Sequence, residues 1–144
     1  MNKLLVTVLL LGSAKAVFGQ ESLQAAPVRF TTTFAFHMGD KVMPAGEYQI
    51  RWIGQSGVLV LRSDASAAMT LAMNGVTQPH ATSEKAAVVF MKYSDTAFFL
   101  STVYLGHGET GFQTVKTRKE KQIVTTIITA ESKPETIFIL AERR

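Results

Sequence analysis

The chain opens on an apolar run, Leu4 to Leu11, broken only by Thr7, with Lys3 before it and the small-residue sites Ala14-Lys15-Ala16 and Val17-Phe18-Gly19 after it. A basic start, a short apolar stretch and small residues at a cleavage point make residues 1–19 an export signal. The run is far short of the ~20 residues that span a bilayer, so no stable membrane span is expected after signal cleavage. Residues 20–26 are polar and small with no period, and read as a flexible leader. From Pro27 the pattern becomes alternation: Val28, Phe30, Thr32, Phe34 and Phe36 share one face of a single half-buried strand.

Gly39-Asp40 and Pro44-Ala45-Gly46 are turn signals, and Tyr48, Ile50 and Trp52 then line the inward face of the next strand. Gly54 to Gly57 makes a hairpin connection to a strand over Val58 to Arg62. Ala67 to Met73 reads as a weaker strand that Asn74-Gly75 turns out of. A loop at 78–83 leads to Lys85 to Tyr93, and Ser94-Asp95 turns that strand into Ala97 to Leu105. Both segments are apolar on both faces, as strands packed on two sides would be.

The period then changes. Ile123, Val124, Ile127 and Ile128 recur at helical spacing, and Thr117-Arg118-Lys119-Glu120 is a capping-box pattern before them. A helix over 117–130 is the expectation, with a strand as the competing reading because the segment is rich in β-branched residues. Thr136 to Ala141 reads as a last strand. Together these elements predict a mainly antiparallel β domain over 27–144, about seven strands in a sandwich or partly open barrel, with one C-terminal helix.

Composition narrows the class. Removing residues 1–19 leaves 125 of 144, which is one domain's length and enough for a real core. Lys3 and Lys15 leave with the signal while all eleven acidic residues stay, so the net charge falls from +4 to +2. That is too weak for nucleic acid, which needs a concentrated basic footprint. The chain has no cysteine, so neither a disulfide nor a lipidated cleavage site is available.

Phe34-Ala35-Phe36, Gly39-Asp40-Lys41 and Pro44-Ala45-Gly46-Glu47-Tyr48 together resemble the signature F-x-F-x-x-G-D-K-x-x-P-A-G-x-Y of small secreted proteins common in acidobacteria. Phe98-Phe99-Leu100-Ser101 and Lys116-Thr117 with Glu120 resemble that family's second block, although Val115 stands where the pattern often has proline. The resemblance spans most of the mature chain and implies a mainly β secreted fold and no activity.

Candidate chemistry is sparse. Gly106-His107-Gly108-Glu109-Thr110-Gly111 spells G-x-G-x-x-G, with Glu131 about 20 residues on, but the predicted helix starts six residues too late to present its N-terminus to a pyrophosphate. No cofactor is expected. His37, His80 and His107 lack the spacing that brings two imidazoles to one metal from a single element, which leaves His107 with Glu109 as the nearest metal candidates. Ser56 lacks the spacing of a nucleophile elbow, and the acids form no concentrated pair of the glycosidase kind. Tyr48, Trp52, Tyr93 and Tyr104 are the candidate ligand-stacking residues, with burial in the core as the ordinary alternative.

The expectation is therefore a periplasmic or extracellular protein that acts by non-enzymatic binding or self-association, its partner an envelope protein, a glycan or a second copy. Two alternatives stay open: a small hydrolase or metal-dependent enzyme built from loops, and a lipocalin-like carrier with an empty apolar lumen.

Overall fold

The alternation that starts at Val28 lasts five residues and then breaks, because the chain must change sheets. The computed structural model describes residues 26–53, 57–76, 84–108, 110–129 and 133–143. The signal, the leader through residue 25, residues 54–56 of the hairpin connection, His80, Glu109 and Glu131 lie outside the described residues. Strand β1 (Val28–Thr32) ends at a bend, and β2 (Phe36–Met38) is a separate strand. Phe30 remains against Tyr48 of the first sheet, while Phe34 stacks on Phe98 at 4.2 Å and Phe36 packs edge-on to Phe90 at 5.0 Å. One continuous strand could not serve both sheets, so the single strand expected over 28–36 is corrected to two.

The remaining elements follow as β3 (Lys41–Met43), β4 (Gly46–Ile53), β5 (Val58–Arg62), β6 (Ala67–Val76), β7 (Ala87–Ser94), β8 (Ala97–Tyr104), β9 (Gly111–Thr114), helix α1 (Arg118–Thr129), β10 (Glu135–Leu140) and β11 (Glu142–Arg143). The described residues thus form eleven strands where about seven were expected. The four extra ones, β2, β3, β9 and β11, have two to four residues each. Pairing is antiparallel throughout except where β2 runs parallel to β8 at His37 and Phe99.

The strand order is β10-β7-β8-β9-β6-β5-β4-β1-β11, with the β2–β3 hairpin attached to β8. Strand β6 forms a corner: Ala67 to Leu71 pair with β5, and Ala72 to Val76 pair with β9. A register shift at Asn74/Val76 puts Gly75, at φ +91, inside the strand. Asn74-Gly75 is therefore a bulge and not the expected turn. The two ends of the order, β10 and β11, are separated only by Ala141, whose N–H donates to the Ala86 carbonyl at 2.9 Å. The path of strands thus begins and ends on one C-terminal segment, an architecture consistent with a β-sandwich or partly open barrel.

Aromatic side chains fill the space between the sheets. Phe30, Phe36, Tyr48 and Phe90 form a ring cluster with contacts of 5.0–6.3 Å, inside a core continued by Leu59, Leu61, Leu100 and Val103. On the outside of the second sheet, Ile123, Val124 and Ile127 of α1 pack against Met91, Tyr93, Ala97 and Phe99. The helix reading of 117–130 holds, and Thr117 caps it, its hydroxyl accepting from the Glu120 N–H at 3.2 Å. The other half of the capping box differs, because the Glu120 carboxylate turns into the sheet and accepts a hydrogen bond from Tyr93. Among the described residues no helix is long and apolar enough to cross a membrane.

Candidate functional site

The four candidate aromatics do not converge. Alternation along β4 turns Tyr48 and Trp52 inward. Tyr48 is 1% exposed, and its hydroxyl donates to the Pro44 carbonyl. Trp52 is half-buried and stacks on Phe112 at 4.0 Å and 21°. Tyr93 lies under α1, and Tyr104 forms a small separate cluster with Ala87 and Val89. All four rings are packed against protein.

The glycine-rich loop is shaped by packing. A Cβ on Gly106 would come within 2.7 Å of the Ala86 nitrogen, and one on Gly111 within 2.7 Å of the Tyr104 ring. Both glycines are therefore required by close approach of neighbouring chain, and Gly111 already belongs to β9. His107 is exposed and left-handed at φ 52. Its expected companion, Glu109, lies outside the described residues. No three metal-ligating side chains come together among the described residues.

Two further arrangements carry no catalytic or ligand-binding sequence motif. The first is a buried polar group beneath α1. Glu120 is 4% exposed and accepts from the Tyr93 hydroxyl at 2.8 Å. Burial raises its carboxyl above the ordinary range, while the Tyr93 hydrogen bond and Lys116 act in the opposite sense. Tyr93 is itself pushed well up by burial, by its hydrogen bond and by the Glu120 charge. Nearby, His37 stacks on Phe99 at 4.4 Å, and among the described residues its buried Nδ1 has no hydrogen-bond partner. Burial first and Lys119 second hold His37 below its usual value. This group offers a fixed donor–acceptor pair that fastens the helix to the sheet.

The second arrangement is the outer face of β4, β5 and β6. Strand β6 places Ala68 and Ala72 inward and leaves Met69, Leu71 and Met73 58–69% exposed. The register aligns Ile53, Val58 and Leu71 in one cross-strand row and Arg51, Val60 and Met69 in the next. Exposed Val115 extends the first row, its N–H donating to the Leu71 carbonyl at 3.0 Å. Gln49, Arg51, Ile53, Val60 and Arg62 line a half-open groove on this face. Beyond Arg62, Glu47 and Asp64 border a second, more polar depression. A row of large apolar side chains beside cations can bind and orient a partner.

Fold and site together define a small β-rich body with an aromatic core between its sheets and an apolar, arginine-edged outer face. Comparison with protein-family models, with curated proteins and with solved structures gives no match for this chain.

Proposed function

We propose that the protein is an exported, non-enzymatic binding protein of the cell envelope that engages a partner, or a second copy of itself, through the outer face of β4, β5 and β6. The inverted pattern of β6 carries the reading. Alanines sit where a strand normally buries its large side chains, and two methionines and a leucine face outward. Apolar area left in water forgoes about 25 cal/mol per Å² of stabilisation, and contiguous exposed patches of this kind mark interaction surfaces. The ring cluster between the sheets supports this reading over a carrier with an empty lumen, since four aromatic side chains already occupy that space.

The test is quantitative binding of the labelled protein to isolated envelope fragments, alongside sedimentation velocity over a range of protein concentration. Saturable binding or concentration-dependent association is expected, weakened at least tenfold by Met69→Ser with Leu71→Ser. Neither behaviour in the wild type, or an unaffected double variant, would overturn the reading.

A further inference from the structure

The outer face combines hydrocarbon and positive charge in a fixed order along the strands. Its first row is Ile53, Val58 and Leu71; Arg51 stands in the next, and Arg62, opposite Gln49, in the one after. Arg51 and Arg62 therefore occupy diagonal positions on one face, about 7–8 Å apart by sheet geometry. Among the described residues neither guanidinium meets a carboxylate. Neighbouring cations repel each other, and the groove between them is completed by an amide and two aliphatic side chains. That lining suits an anion joined to hydrocarbon. Two acids border this band, Glu47 and Asp64, and they lie on the far side of Arg62 from the apolar row.

We propose that this face docks the protein onto the anionic surface of a lipid bilayer. Arg51 and Arg62 take headgroup phosphates, and Ile53, Val58, Met69 and Leu71 enter the headgroup–acyl boundary. The order of rows matches the depth profile of such a surface. Strand rise is about 3.3 Å per residue, so the apolar row lies roughly 7 Å along the strands from Arg51, and a tilt of the face that lets this row lead sets it below the arginines. Guanidinium groups bind phosphate through paired N–H donors, and the acids at the other end of the face stay in water. A second copy fits less well, because a two-fold pairing of the apolar rows supplies hydrocarbon and places no anion at the arginines.

This inference rests on the binding reading above, and its test separates the two. The natural chain has no cysteine, so Met69→Cys gives a unique attachment point for an environment-sensitive nitrobenzoxadiazole label. Gln122→Cys gives a control on α1, which covers the other sheet. Phosphatidylcholine vesicles containing phosphatidylglycerol should blue-shift the label at 69 and leave that at 122 unchanged, while pure phosphatidylcholine has little effect. Arg51→Gln with Arg62→Gln should weaken the response on the order of tenfold, and added salt should weaken it further.

A response at 122 alone would place docking on the basic helix and overturn the inference. So would an equal shift with inorganic phosphate or a soluble alkyl phosphate without vesicles, which would make the groove a site for a free anion. A shift driven by protein concentration without lipid would assign the face to a second copy, defeating the lipid inference while preserving the binding reading. Silence towards lipid, self and envelope fragments would end both.

Discussion

At Glu120 a helix-start signal and a sheet contact compete for one carboxylate, and the sheet contact wins. A capping-box glutamate would return to its own helix N-terminus; here it is buried and accepts from Tyr93 at 2.8 Å. Tyr93→Phe should destabilise the fold by about 1–3 kcal/mol, since the buried acceptor loses its donor. Glu120→Gln keeps an oxygen for Tyr93 and removes the buried charge, and urea unfolding across pH tests the consequence. The folded carboxyl lies above its ordinary value, so the native state holds the proton more tightly than the unfolded chain. Its contribution is therefore greatest at low pH and is lost as pH rises through the folded value, an arm that Glu120→Gln should flatten. His37 acts in the opposite sense: its folded value is lowered, so its contribution falls away as pH drops below about 6.5.

At the level of elements, legibility tracked length and local chemistry. The helix could be read because Thr117 and the spacing of Ile123, Val124 and Ile127 point to the same structure, and the threonine does cap it. Thr117→Ala should cost about 1 kcal/mol in thermal or denaturant unfolding, with circular dichroism showing the loss concentrated in helical signal. Strands β2, β3 and β11 span two or three residues, too few for alternation to register; β2 and β11 are set by partners distant in sequence, and β3 pairs only with β2. The break after Thr32 was hidden because Phe34 and Phe36 continue the parity of Val28 and Phe30 while packing with a different sheet. Asn74-Gly75 has turn chemistry, yet the same glycine conformation serves a bulge where β6 changes partners. On β6, alternation identified a strand, but period alone does not say which face is inside. Ala68 and Ala72 face a core already occupied by rings, so the larger Met69, Leu71 and Met73 are left outside.

For the whole molecule, the mainly β architecture with one C-terminal helix followed from the apolar pattern, whereas the proposed docking face did not. That face is assembled from rows contributed by β4, β5 and β6, and a row becomes visible only once register is known. Single residues such as Tyr48 and Trp52 are candidates because aromatics carry chemistry, yet Tyr48 is buried in the core and half-buried Trp52 stacks on Phe112. The claim that function resides on the outside of this filled body is tested most directly by thiol protection in the cysteine-free chain, comparing Leu71→Cys with Ala72→Cys. In the purified protein Leu71→Cys should react rapidly with a soluble maleimide while Ala72→Cys is protected, matching exposures of 60% and 6%. In intact native envelope Leu71→Cys should become protected as well, because the face is then covered. A Leu71→Cys thiol that reacts equally fast in both settings, or an Ala72→Cys thiol as reactive as Leu71→Cys, would contradict a docking face built on the outward side of β6.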